Sequence, residues 1–106
     1  MTLSIDLTGI RAVVTGVSSG IGAGIASALA QAGSDVAGCG LEDEHSDGAQ
    51  RFLTRAEQHG RRAFYQTADL ADAAAARTFV EWAAAQLGGI DVVVSNAGRN
   101  VFTGVE

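Results

Sequence analysis

Short runs of consecutive apolar or β-branched residues alternate along this chain with longer stretches in which apolar residues recur every third or fourth position. The runs are typical of strands buried in a parallel sheet, and the longer stretches are typical of amphipathic helices. Glycine or polar residues mark most of the changes. The pattern predicts strands at 12–15, 35–40, 63–67 and 90–95, and helices at 20–32, 49–59 and 71–87.

Each predicted helix has an apolar face that we expect to be buried against the sheet. The predicted faces are Ile21, Ile25, Ala28, Leu29 and Ala32 in the first helix, Ala49, Phe52, Leu53 and Ala56 in the second, and Ala76, Val80, Ala83 and Leu87 in the third. Trp82 lies beside the third face, where it is expected to pack against a neighbour.

The order β-α-β-α-β-α-β predicts a parallel sheet with right-handed crossovers and helices on both faces, the doubly wound, Rossmann-type α/β class. No linker or repeat divides residues 1–106. The fourth strand is apolar enough to be covered on both faces, and it would lack the next strand of such a sheet. We therefore expect residues 1–106 to be the N-terminal part of one larger domain, or to pair with a separate piece.

Composition excludes several classes of function. The chain has 106 residues, 47% of them hydrophobic, and a net charge of -5 with its seven basic residues, all Arg, scattered along it. A nucleic-acid surface needs clustered positive charge. No apolar stretch approaches the roughly 20 residues that span a bilayer, and no secretion signal opens the chain, so we expect a cytoplasmic protein. Cys39 is expected to be buried, and His45 and His59 lack partners at metal-ligand spacing, so no metal is expected.

The turn between the first strand and the first helix reads TGVSSGIG from position 15. Gly16 permits a sharp turn, Gly20 removes a side chain where a pyrophosphate would approach, and Gly22 lets the helix pack closely on the sheet. Ser18 and Ser19 can donate hydroxyl hydrogen bonds or cap the helix. No Lys follows the last glycine, so this is not the phosphate-binding loop of the nucleotide triphosphatases.

This turn resembles the T-G-x-x-x-G-I-G signature of the short-chain dehydrogenases/reductases, and two further matches follow in the family's order. Asp69-Leu70 resembles the acidic element after the third strand. The segment SNAG at 95–98 resembles the N-N-A-G element after the fourth strand, with Ser95 replacing the first Asn. The three motifs extend across most of the chain.

The resemblance implies that Asp69 accepts a hydrogen bond from the adenine amino group, that Leu70 contacts the adenine ring, and that 96–98 line the cofactor ribose. Asp69 can alternatively cap the third helix, and Asn96 can alternatively brace the strand ends. The predicted cofactor-binding residues are Gly16, Ser18, Ser19, Gly20, Ile21, Gly22, Asp69, Leu70, Asn96, Ala97 and Gly98.

Gly40 stands where the family usually has an acidic residue that selects NAD, so the usual selector is missing. Glu42, Asp43 and Glu44 follow at once, and no Arg or Lys is near to bind a 2′-phosphate. We expect NAD as the cofactor, with NADP left open. The alternative is that the acidic run is only a solvated loop.

The resemblance implies a protein that transfers a hydride between a nicotinamide cofactor and a carbonyl or secondary alcohol of a small molecule. The family's catalytic Tyr-x-x-x-Lys pair is missing, because Tyr65 is the only Tyr and the chain contains no Lys. We therefore expect no catalytic residue here, a packing role for Tyr65, an inactive chain on its own, and a homo-oligomer for the complete protein. A non-catalytic dinucleotide-binding sensor or scaffold is the main alternative, and a flavodoxin-like or phosphate-binding domain is a minor one.

Overall fold

The computed structural model describes residues 5–18 and 20–96, in which four strands and three helices alternate. The strands at 35–40 and 63–67 have the predicted bounds, whereas the helix predicted from residue 71 begins two residues later. The elements are β1 (Arg11–Thr15), α1 (Gly20–Gln31), β2 (Asp35–Gly40), α2 (Asp47–Gln58), β3 (Ala63–Thr67), α3 (Ala73–Leu87) and β4 (Val92–Val94).

The four strands form one parallel sheet in the order β3-β2-β1-β4. After β3 the chain crosses back over the sheet and adds β4 to the other side of β1. The strand order therefore reverses between β1 and β4, which makes this the topological switch point of a doubly wound sheet. The predicted fold class is confirmed.

Two apolar cores cover the two faces of the sheet. On one face α1 and α2 pack over Val14 of β1 and Val36 of β2, and on the other face α3 packs over Val13 and Ala37. Neighbouring strand residues thus enter opposite cores, as the two-residue period of a strand requires. The two central strands, β1 and β2, are therefore buried between two helical layers.

The predicted face of α1 is partly wrong. Ile21 is 74% exposed and Ala28 is also exposed, whereas the smaller residues Gly22, Ala26 and Ala30 are buried against the sheet. Small side chains let the helix axis approach the strands closely, so the bulkier Ile25 and Leu29 pack at the margin of the core instead. Size rather than hydrophobicity decides which residues of α1 are innermost.

The predicted face of α3 is wrong at one position. Phe79 is 1% exposed and fills the core, whereas Val80 is 44% exposed. Ala83 and Leu87 are buried as predicted. Trp82 is partly buried and its ring centroid lies 6.0 Å from that of Phe79, so it packs as expected.

Ion pairs hold the strands together at the N-terminal edge of the sheet. Arg11 of β1 donates from Nε and Nη2 to the two carboxylate oxygens of Asp91 at 3.0 and 3.1 Å, and from Nη1 to the carbonyl of Gly88 at 2.7 Å. The hydrogen bonds and charge of Arg11 hold the pKa of Asp91 below its ordinary value. A second pair joins Arg62 to Asp35 at the starts of β3 and β2. The ion pairs at this edge join the starts of neighbouring strands and stabilise the sheet.

The strand β4 is shorter than predicted and less covered. Among the described residues it pairs with β1 alone, and Val92 and Val93 are 39% and 59% exposed. The expectation of burial on both faces is therefore wrong for this part of the chain. No helix in residues 5–18 and 20–96 is long and apolar enough to cross a membrane.

Candidate functional site

The segments that carry the sequence motifs follow the strands at a single edge of the sheet. Because all four strands are parallel, their carboxyl ends lie together, and the glycine turn, the acidic loop at 41–45, Asp69 and Asn96 each follow one of them. Ligands of doubly wound sheets bind at this edge, beside the switch point. The topology therefore places those predicted site residues that the structure describes at the edge where ligands of such sheets bind.

The first two glycines of the turn have backbones that favour glycine. Gly16 has a φ of 71° and Gly20 has a φ of 62°, both in the left-handed region. The N–H groups of Gly16 and Val17 donate to the carbonyl of Cys39 at 2.8 and 3.0 Å, which fixes the start of the turn to β2. The sequence predicted the sharp turn at Gly16 but not the conformational requirement at Gly20.

The third glycine is required by its neighbours. A Cβ atom on Gly22 would collide with the carbonyl oxygen of Gly16 and would lie 2.7 Å from Nδ2 of Asn96. The end of β1, the start of α1 and the segment after β4 therefore meet at this residue. Gly22 gives the close packing that the sequence predicted for it, and Asn96 joins the glycine turn in space.

A hydrogen bond across the switch point holds Asn96 in place. The backbone N–H of Asn96 donates to Oγ1 of Thr15 at 2.7 Å. The main chain of Asn96 thus braces the strand ends, whereas the sequence offered its side chain for that role. The acceptor, Thr15, is a residue that the sequence analysis missed. The signal was present, because Thr15 opens the glycine motif with a hydroxyl at the end of β1.

The N-terminus of α1 is free of acidic residues, unlike those of the other two helices. The first turn of α2 contains Asp47, and Asp72 caps α3 by accepting from the N–H groups of Ala74 and Ala75. The first N–H groups of a helix have no acceptor within the helix and carry partial positive charge. Among residues 5–18 and 20–96, a Cβ atom on Gly20 would meet no atom within 4 Å, so these residues leave the approach to this end of α1 open. An anion fits here.

Of the two serines in the turn, Ser18 faces β2 and α2. Its Oγ lies 2.8 Å from the point that a Cβ atom on Gly40 would occupy, and its carbonyl is in close contact with Gly48. Ser18 therefore links the glycine turn to the acidic loop. Ser19, predicted as a second hydroxyl donor, lies outside the described residues.

After β3, Asp69 is exposed and does not cap α3. Its Oδ1 accepts from the N–H of Ala71 at 3.0 Å, and the cap of α3 is Asp72. The alternative reading of Asp69 as a helix cap is therefore wrong, and its carboxylate remains accessible at the strand ends. Leu70 packs partly against the core under α3. Ala97 and Gly98, the other predicted residues of the last motif, lie outside the described residues.

Two hydroxyl groups hold the acidic loop after β2. Tyr65 and Thr67 of β3 both donate to the carbonyl oxygen of Glu42, at 2.7 and 2.8 Å. The Tyr65 ring is buried and lies 6.4 Å from that of Phe52, which confirms the packing role. Burial, and to a smaller extent the charges of the Cys39 thiolate and Glu42, raises the pKa of Tyr65 to about 12. Tyr65 therefore remains a donor at neutral pH, a role that its strand position alone did not reveal.

The remaining candidates form no second site. Cys39 is buried, as expected, and burial raises the pKa of its thiol. His59 is the C-cap residue of α2. Within the described part of the chain, no three His, Cys, Asp or Glu side chains are grouped so that they could hold a metal ion.

Several of the known proteins that are similar to this chain are named dehydrogenases. L-rhamnose 1-dehydrogenase (NAD(P)(+)) of a Sphingomonas species is 44% identical over 93 residues, which are 87% of this chain and 35% of that protein. A crystal structure of a short-chain dehydrogenase from Burkholderia cenocepacia in complex with NADP has 45% identity and a TM-score of 0.80, and the match covers 88% of this chain and 37% of that one. Carveol dehydrogenase from Mycobacterium avium in complex with NAD has 27% identity and a TM-score of 0.80, and the match covers 90% of this chain and 38% of that one.

The chain spans about a third of the length of the curated relatives that it matches. The sequence model of the short chain dehydrogenase family matches residues 11–106, nearly the whole chain. Together with the parallel sheet, the glycine turn and the closure of that turn by Asn96, this match identifies the chain as a member of the short-chain dehydrogenase family.

Proposed function

We propose that the described residues bind the adenosine and pyrophosphate part of a nicotinamide dinucleotide at the C-terminal edge of the sheet. The observation that carries this proposal is the closure at Gly22, where a Cβ atom would collide with the Gly16 carbonyl and crowd the Asn96 amide. That contact holds the open, positively polarised N-terminus of α1 beside the switch point. A doubly charged pyrophosphate fits this place better than a neutral ligand does.

Each of the three sequence motifs would then contact a different part of the dinucleotide. The N–H groups at the start of α1, which include Gly20, Ile21 and Gly22, would hold the pyrophosphate. The exposed Asp69 carboxylate would accept from the adenine amino group, and the segment that starts at Asn96 would line the ribose. The chemistry that the cofactor supplies is hydride transfer at its nicotinamide ring.

For the complete protein we propose an oxidoreductase that transfers a hydride between this cofactor and a carbonyl or secondary alcohol of a small molecule, and that works as a homo-oligomer. Support comes from the dehydrogenases that the chain resembles and from the complexes of two of them with NADP and NAD. The chain has no Lys to complete a Tyr-x-x-x-Lys pair, so it supplies cofactor binding and no catalytic group. We expect it to show no hydride transfer on its own.

A second candidate is a dinucleotide-binding sensor or scaffold without catalysis. The two candidates share the cofactor site and differ in what accompanies it. A Tyr-x-x-x-Lys sequence in a polypeptide that continues or complements this one would support the enzyme. A protein without that pair that still binds the dinucleotide would support the sensor.

The proposal is tested by placing a methyl group at each of two glycines in α1. Gly22→Ala is expected to force α1 away from Gly16, at a cost of about 1–3 kcal/mol in the free energy of unfolding. It should weaken NADH binding about tenfold or more, which corresponds to about 1.4 kcal/mol of binding free energy. Binding is measured by calorimetric titration with NADH.

Gly24→Ala is the matched control. A Cβ atom on Gly24 would meet no atom of the described part of the chain within 4 Å, and alanine is favoured over glycine inside a helix by roughly 0.5–1 kcal/mol. This variant should bind NADH as the unmodified chain does. Binding that survives Gly22→Ala unchanged, or an unmodified folded chain that does not bind NADH, would contradict the proposal.

A further inference from the structure

The outer face of α2, together with the acidic loop before it, has opposite charges at its two ends. The acidic end consists of four exposed carboxylates, those of Glu42, Asp43, Glu44 and Asp47. The basic end begins one turn later and consists of Arg51 and Arg55, which are also exposed. Four of the seven basic residues of the chain lie within 51–62. A chain with a net charge of -5 thus has one helix with a positively charged end.

The acidic loop and α2 form one continuous surface. Nε2 of Gln50 donates to the carbonyl of Glu44 at 2.8 Å, and the N–H of Ser46 donates to the carbonyl of Asp43 at 2.9 Å. These hydrogen bonds fix the loop to the first turns of the helix. The acidic and basic ends are therefore held at a defined spacing along the axis of α2.

Three charged side chains of this face are unpaired within the described part of the chain. Asp47, Arg51 and Arg55 follow one another at intervals of four residues, and no ion pair or hydrogen bond joins any of these side chains to another described residue. The two arginines that precede β3, by contrast, both pair with Asp35. Like charges four residues apart on a helix repel each other, so Arg51 and Arg55 destabilise α2 unless negative charge lies against them.

We infer that the outer face of α2 is a contact between two copies of this chain, which pack with their α2 helices antiparallel about a two-fold axis. An axis midway between Asp47 and Arg51 places Asp47 of each copy opposite Arg51 of the other. The same axis places the acidic loop of each copy opposite Arg55 of the other. The inference names the surface of the homo-oligomer proposed above and rests on that part of the proposed function, but it does not depend on dinucleotide binding.

Charge complementarity selects a second copy as the occupant of this face. An acidic partner would fit the basic end and be repelled by the acidic end, and a basic partner would be repelled by the basic end. An antiparallel copy satisfies both ends, since two-fold symmetry makes each contact between opposite charges twice. The structure describes α2 in full, and this helix exposes no large apolar side chain. The contact is therefore polar, and its strength should depend on salt.

The experiment reverses one charge of the contact in each of two variants. Arg51→Glu leaves carboxylates at both contact positions and Asp47→Arg leaves guanidinium groups at both, so each variant should repel a second copy of itself. We expect the unmodified chain to dimerise in sedimentation equilibrium, about tenfold or more weakly in about 1 M salt than in about 0.01 M salt, because the screening length falls from about 30 to about 3 Å. At low salt each variant alone should dimerise about tenfold or more weakly than the unmodified chain.

An equimolar mixture of the two variants is the decisive sample. In a mixed dimer, Asp47 of one chain faces Arg51 of the other, and the two substituted residues also face each other with opposite charges. The mixture should therefore dimerise within about threefold of the strength of the unmodified chain. Arg77→Glu, at an exposed position of α3, makes the same charge change as Arg51→Glu and is the matched control. It should leave the dissociation constant within about twofold, and circular dichroism shows whether each variant is folded.

Three results would overturn the inference. They are an unmodified chain that stays monomeric at low salt up to about 1 mM, variants that each dimerise as the unmodified chain does, and a mixture that associates no better than its components. The second and third results leave a homo-oligomer that uses another surface. A dimer with the expected behaviour that does not bind NADH would overturn the proposed cofactor site and leave this contact in place.

Discussion

Glycine is required at three positions of the turn between β1 and α1, for two different physical reasons. Gly16 and Gly20 occupy the left-handed region of backbone space, whereas Gly22 lacks room for any side chain. The packing role of Gly22 could be predicted from the motif, because a helix that leaves a strand this abruptly must approach it closely. The contact of Gly22 with Asn96 could not, since it joins residues that are far apart in the chain and meet only when β4 pairs with β1.

Tyr65 shows where residue-scale reasoning from sequence ends. Its place in an apolar run predicts burial, which the structure confirms. The partner of its hydroxyl depends on the path of a loop that follows a different strand. A buried tyrosine needs a hydrogen-bond partner, but the sequence pattern does not say which atom provides it.

Because Tyr65 is the only tyrosine, its ionisation can be followed directly by the absorbance of tyrosinate near 295 nm. We expect a midpoint near pH 12 in the folded chain, where burial and then the nearby negative charges disfavour the anion. In the unfolded chain the pKa is about 10. The unfolded state thus releases this proton first, so the folded state should lose stability as the pH rises from about 10 to 12.

Glu42→Gln should move this midpoint toward lower pH, since the Glu42 charge is one cause of the shift. Circular dichroism at each pH shows whether the chain is still folded. A midpoint near pH 10 in the folded chain would mean that the hydroxyl is solvated and does not hold the Glu42 loop.

At the scale of elements, the order and type of the helices and strands followed from periodicity. The predicted inner residues of α2, Ala49, Phe52 and Ala56, are buried, whereas the predictions for α1 and for one position of α3 were wrong. Apolar spacing locates the buried face of a helix only approximately. The buried residues of α1, and Phe79 in α3, lie one position away from the residues predicted to be buried. In α1 the shift brings Ala26 and Ala30 inward because the helix lies close to the sheet. In α3 it brings Phe79 inward, since the larger ring fills the core better than Val80.

The fit between the glycine turn and β2 is an element-scale contact that can be tested. A Cβ atom on Gly38 would lie 2.6 and 2.7 Å from the methyl groups of Val17, which is fully buried. Gly38→Ala should therefore lower the free energy of unfolding by about 1–3 kcal/mol, as overpacking does. Urea denaturation followed by circular dichroism measures this change.

A double variant provides the control for this contact. Val17→Ala should make room for the new methyl group, so the combination with Gly38→Ala should be more stable than the sum of the two single effects predicts, by at least about 0.5 kcal/mol. Simple additivity of the two substitutions would show that the methyl groups do not meet and that the turn does not pack on β2 as described.

At the scale of the whole molecule, the N-terminal and C-terminal ends of the parallel strands carry different kinds of residues. The N-terminal edge carries the ion pairs of Arg11 with Asp91 and of Arg62 with Asp35. The C-terminal edge carries the glycine turn, the acidic loop and the residues that follow β3 and β4. This placement of the motifs could be predicted from the parallel strand order alone, because every strand-to-helix turn of a parallel sheet falls on the same edge. The ion pairs at the opposite edge left no periodic signal in the sequence.

The central claim is that this chain binds a nicotinamide dinucleotide at the C-terminal edge of its sheet, and an amide NMR titration of the 106-residue chain with NADH tests it most directly. We expect saturable shifts in the amides of 16–22, Glu42, Asp69, Leu70 and Asn96, while those of Arg11 and Asp91 at the other edge stay in place. The absence of saturable shifts, or shifts centred on the N-terminal edge, would contradict the account.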